Sequence, residues 1–105
     1  MRFTVRGHAC TTLDAYADED WTDDPESTAI AVLVRAYREG RRKALVFPEA
    51  DLPAVLDALT DLSNTEDEAA NDKARIKRDP EGARFARLAS WGLTRLSQRI
   101  VASTR

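Results

Sequence analysis

Phe3 and Val5 alternate with Arg2, Thr4 and Arg6 at the start of the chain. This period of two predicts a strand, Arg2–Arg6, ended by Gly7. Residues 8–17 hold no clean period: Thr11-Thr12-Leu13 suits a strand, and Ala15-Tyr16-Ala17 suits a helical turn. Residues 18–26 are acidic and broken by Pro25, the pattern of a loop. Two patterns compete over residues 27–39. Ile30, Val32 and Val34 are β-branched and alternate, which predicts a strand over Thr28–Arg38. A turn through Arg38-Glu39-Gly40-Arg41 would lead into a second strand, Lys43–Phe47, and close a hairpin. Alternatively, Asp24 caps a helix with Pro25 in its first turn. That helix ends at Gly40 and gathers Ile30, Leu33, Val34 and Tyr37 on one face.

Downstream the period is helical. Leu52, Val55, Leu56, Leu59 and Leu62 form one apolar stripe, with Asp51 as N-cap and Pro53 in the first turn. Residues 63–72 are polar and acidic and read as the start of a linker, or as a frayed helix end. Asp79, Pro80 and Glu81 then open a second helix running to about residue 102. On a helical wheel, Phe85, Ala89, Gly92, Leu93, Leu96 and Ile100 share an inward stripe flanked by Leu88. The fold expected is α+β: a short antiparallel sheet with a β-hairpin packed on helix 51–62, a polar linker over 63–79, and a C-terminal helix over 80–102. All of it belongs to a single domain, 1–105, as the length of 105 residues implies.

Composition narrows the chemistry. One Cys and one His cannot assemble a structural zinc site, and a lone Cys10 forms no internal disulfide. The expectation is no metal and no cofactor. The longest nearly unbroken apolar run, 29–34, is far short of the ~20 residues a membrane span needs, and the N-terminus lacks the apolar stretch of a signal peptide. A cytoplasmic protein without a membrane partner is expected. Arg outnumbers Lys by 13 to 3, a bias typical of GC-rich coding DNA, as in actinobacteria and their phages.

The formal net charge of −2 hides a segregation. Residues 1–34 carry −5, residues 35–47 carry +4, residues 48–72 carry −8 and residues 73–105 carry +7. Blocks of opposite sign serve either to attract one another within the fold or to present a charged face to a partner.

Candidate sites follow from this charge pattern. Trp91 falls in the same angular sector of the C-terminal helix as Arg84, Arg87 and Arg95, away from the inward stripe. Guanidinium groups hold carboxylate or phosphate in a fork, and an exposed indole fills a partner's pocket or stacks on a base. A second basic cluster, Arg35, Arg38, Arg41, Arg42 and Lys43, would crown the turn and reach phosphates. His8, Cys10 and Asp14 lie close in sequence, but a Cys–His nucleophile is assembled by the fold rather than by spacing. The acids of 18–24 lack the glycine and terminal glutamate of an EF-hand, and could instead imitate a phosphate backbone with Trp21 as an anchor. No glycine-rich phosphate loop or serine elbow is present.

Gly40-Arg41-Arg42-Lys43-Ala44-Leu45-Val46-Phe47-Pro48, followed by the Leu52/Leu56/Leu59 helix, resembles the closing strand and helix of the single-stranded-DNA-binding transcriptional coactivator family. The likeness spans residues 28–62. It implies a curved antiparallel sheet, a dimer, and DNA contacts from Arg35, Arg38, Arg41, Arg42 and Lys43.

The leading functional expectation is a small non-enzymatic regulatory or interaction protein, in the manner of a phage accessory protein acting on a host target. It would dock the Arg84/Arg87/Trp91/Arg95 face onto an acidic partner or onto itself. A small core makes a homodimer a natural state. The alternative is a nucleic-acid-binding protein that uses the basic hairpin.

Overall fold

The computed structural model describes residues 1–18 and 28–104. Among these residues four helices dominate, with one small two-stranded sheet, in an α+β arrangement. The elements in order are β1 (Arg2–Thr4), α1 (Gly7–Ala17), α2 (Thr28–Glu39), β2 (Ala44–Val46), a 3-10 turn (Glu49–Asp51), α3 (Leu52–Arg75) and α4 (Pro80–Ser103). The expected strand over Thr28–Arg38 is therefore corrected: residues 28–39 form α2, and there is no hairpin at 38–41. The reason lies in which residues each form would bury. A strand would place Leu33 and Tyr37 on the face opposite Val34 and Ala36. The helix buries all four together.

With residues 28–39 helical, β2 pairs with the start of the chain. β1 and β2 run antiparallel, with Arg2 opposite Val46, Phe3 opposite Leu45 and Thr4 opposite Ala44. The pairing is extended by Val5 N–H donating to the Lys43 carbonyl at 2.9 Å and by Phe47 N–H donating to the Met1 carbonyl at 3.1 Å. Phe3 stacks on Phe47 with ring centres 6.0 Å apart. Two strands alone are marginal. Here Leu45 and Phe47 are buried with α2 and α3 residues, which anchors the ribbon.

The core gathers Leu13 from α1, Leu33 and Tyr37 from α2, Leu45 from β2, Val55, Leu59 and Leu62 from α3, and Leu93, Leu96 and Ile100 from α4. The Val55/Leu59/Leu62 stripe is buried as its spacing predicts, with Leu52 and Leu56 at its margin. Residues 63–75 continue α3, correcting the linker expected over 63–79. Their inward positions are Ser63, Glu66 and Ala70, which a hydropathy pattern undervalues, while the outward positions are charged. α4 begins as expected: Asp79 Oδ1 accepts from Gly82 N–H at 3.0 Å, and Pro80 occupies the first turn. Its inward face is rotated from the expected one. Ala83, Ala86, Ala89 and Ser90 are buried alongside Leu93, Leu96 and Ile100, whereas Phe85 is 54% exposed. The close approach of α3 selects the small residues of α4, which moves the buried arc off Phe85.

Candidate interaction surface

The outer face of α4 carries Arg84, Arg87, Trp91 and Arg95 at spacings of three, four and four, so they form one stripe. All four are exposed, Trp91 by 57%. The Arg95 guanidinium sits over the Trp91 ring, 5.1 Å from its centre. A cation placed there is attracted by the ring's negative face. Among the described residues the ion pairs are Arg35–Asp51 at 3.9 Å, Arg42–Asp14 at 3.6 Å and Arg42–Asp18 at 2.8 Å; none involves Arg84, Arg87 or Arg95. The stripe borders a cleft of about 200 Å³ where the first turn of α1 meets α4, lined by Arg6, His8, Trp91, Arg95 and Arg99. Gly92 makes this docking possible, because a side chain there would meet the backbone at His8–Ala9. Arg99 bonds the Thr4 carbonyl and closes one end. Phe85 lies edge-on to His8, with ring centres 6.2 Å apart.

The second basic cluster is divided. Arg42 is held by Asp14 and Asp18, Arg35 reaches Asp51, and Arg38 donates to the Ala17 carbonyl. Hydrogen bonding to Asp18 raises the Arg42 pKa further above its ordinary value. Arg41 and Lys43 are exposed. Both Arg41 and Arg42 adopt left-handed backbone (φ 57° and 60°), the turn that reverses the chain from α2 into β2. Gly40 opens that turn, and a Cβ there would run into the Ala44 carbonyl. Arg35, Arg38 and Arg41 line a cavity of about 650 Å³ along α2, together with Val32 and Glu39.

Cys10 does not hydrogen-bond His8. Its thiol lies 3.1 Å from the hydroxyl of Tyr37, a fully buried residue that sequence reasoning placed only in an apolar stripe. Tyr37 in turn donates to Asp14 Oδ1 at 2.9 Å. Burial first, then the hydrogen bonds to Cys10 and Asp14, push the Tyr37 pKa well above its ordinary value of 10.0. This chain of contacts ties α1 to α2. Among the described residues no group of His, Cys, Asp or Glu is arranged to hold a metal ion. No helix among them is long and apolar enough to cross a membrane. The acidic stretch beyond Asp18, with Trp21, lies outside the described residues.

The chain matches no family model, and neither the curated proteins nor the solved structures yield a similar one.

Proposed function

We propose that this is a cytoplasmic, non-enzymatic regulatory module that docks the α4 stripe Arg84/Arg87/Trp91/Arg95 onto an acidic protein surface. The observation that carries this reading is an indole 57% exposed, lying under the Arg95 guanidinium, in a stripe whose arginines have no carboxylate partner among the described residues. Exposed aromatics beside arginine are the residue types that concentrate binding energy at protein interfaces. The arginines steer and orient an acidic surface, and the indole supplies apolar burial at the centre.

Titration of a fluorescent Asp/Glu-rich peptide bearing one apolar residue tests the reading. Trp91→Ala is expected to weaken binding by about 30-fold, the equivalent of about 2 kcal/mol. Replacing Arg84 and Arg87 by Ala lowers affinity and flattens its salt dependence. Equal binding by wild type and Trp91→Ala overturns the proposal. The second reading, nucleic-acid binding at the basic turn, has one observation in its favour: Arg35, Arg38 and Arg41 line a common groove. It requires affinity for single-stranded DNA that falls steeply with salt and is lost in Arg41→Ala/Arg42→Ala.

A further inference from the structure

α3 carries a second stripe, of opposite sign. Asp57, Asp61, Glu68 and Asp72 recur at helical spacing and are all exposed. They lie on the side of α3 turned away from its contact with α4, since Leu59, Ser63 and Ala70 fill the inward side. The arginine stripe lies about 120° around α4 from the residues that meet α3, Ala86 and Ser90 among them. The acidic and basic stripes belong to neighbouring helices of one hairpin, yet no ion pair among the described residues joins them. The charge segregation in the sequence is therefore not neutralised across this hairpin.

We propose, resting on the docking role of α4, that the acidic surface it recognises is the α3 stripe of a second copy of this chain. Two observations favour this occupant. The stripes are opposite in sign and equal in length: Asp61, Glu68 and Asp72 span about 16 Å along α3, as do Arg84 and Arg95 along α4. The two stripes also face away from each other on the hairpin and form no ion pair with one another among the described residues, so each is open to the opposite stripe of a neighbour. Trp91, between Arg87 and Arg95, becomes the apolar centre of the contact.

The test is molecular mass by sedimentation, from about 10 to 200 µM, at about 0.05 and 0.5 M salt. Wild type is expected to associate at low salt and to dissociate at high salt. A variant with a reversed basic stripe (Arg84→Glu, Arg87→Glu, Arg95→Glu) and one with a reversed acidic stripe (Asp61→Arg, Glu68→Arg, Asp72→Arg) should each associate about tenfold more weakly or worse, because like charges then face each other. Mixing the two reversed variants restores association, since every contact between unlike chains is again between opposite charges. A merely misfolded variant could not do this. Monomeric wild type under all these conditions overturns the inference, as does association untouched by both reversals or a mixture that stays monomeric. If the chain is monomeric while the acidic peptide still binds and depends on Trp91, the docking role of α4 stands and only the second-copy partner falls.

Discussion

The region built from β1, α1, α2 and β2, with the start of α3, is held together differently from the hairpin of α3 and α4 beyond Leu62. In the first, large side chains meet: Leu13, Leu33, Tyr37, Leu45, Val55 and Leu59 are fully or almost fully buried. Contacts distant in sequence reinforce them, such as Tyr37 to Asp14 and the Met1 amino group to the Phe47 carbonyl at 2.7 Å. In the hairpin, Ala70, Ala83, Ala86, Ser63 and Ser90 are buried between the helices, while Leu93, Leu96 and Ile100 of α4 join the core of the first region, and the Ser63 hydroxyl lies 2.9 Å from that of Ser90 and 2.8 Å from that of Thr94. Small residues bury less area each but let two helices approach closely. The outer sides of those helices carry charge: Asp57, Asp61, Glu68 and Asp72 on α3 and Arg84, Arg87 and Arg95 on α4 are all exposed. The first region supplies stability, and the second presents surface.

Removing a large side chain should show this most clearly. Leu33→Ala leaves a cavity in the mixed region and should cost about 2–5 kcal/mol, read by denaturant unfolding. Enlarging a small residue in the hairpin should come next. Ser63→Val or Ala86→Val overpacks the interface and should cost about 1–3 kcal/mol, while Ser63→Ala costs about 1 kcal/mol for its hydroxyl contacts. If Ala86→Val proves neutral and Leu33→Ala mild, the two regions are not held as described.

Tyr37→Phe is a finer probe of the first region. It removes the hydroxyl contacts of Tyr37 with Cys10 and Asp14, one of the links between α1 and α2, and should cost about 1–2 kcal/mol. The same residue sets a pH dependence with a definite sign. The folded protein keeps the Tyr37 proton to higher pH than the unfolded chain, whose tyrosine titrates near 10.0. Its contribution is therefore complete below that pH and declines as the pH rises above it. Thermal unfolding from about pH 9 upward should show the decline in wild type, and a shallower one in Tyr37→Phe. The smallest expected effect on stability is that of Trp91→Ala, within about 0.5 kcal/mol, since the side chain is largely outside the packed interior. A loss well above that would place the indole among the structural residues and not on a docking face.

Much of the helical content could be read from local signals. Asp79-Pro80 is a start signal whose cap is made by atoms within four residues of one another, and the Leu52–Leu62 stripe is long and regular. The Arg84/Arg87/Trp91/Arg95 sector follows from helix geometry once residues 80–103 are helical. Residues 28–39 were ambiguous because Ile30, Val32 and Val34 fit a period of two while Ile30, Leu33, Val34 and Tyr37 fit a helical one, and burial of Leu33, Val34, Ala36 and Tyr37 together decides between them. Residues 63–75 resembled a linker because their inward positions are small or polar and acquire value only against Ala83, Ala86 and Ser90. Glu66 shows the same point: half-buried in that interface, its carboxyl is pushed up by desolvation, which no local pattern announces.

The sequence by itself determined the Asp79 cap of α4, the amphipathic stripe of α3, the opposed charge blocks and the grouping of Trp91 with its arginines, whereas Asp51 starts α3 without a side-chain cap bond. These depend on neighbours within a turn or two and on the fixed geometry of a helix. The tertiary structure decided that β2 pairs with β1, that Phe85 faces out while Ala86 and Ser90 face in, and that the acidic and basic stripes point away from each other. Those outcomes depend on which surfaces are brought together from distant parts of the chain, and on the free energy of burying one set of side chains in preference to another.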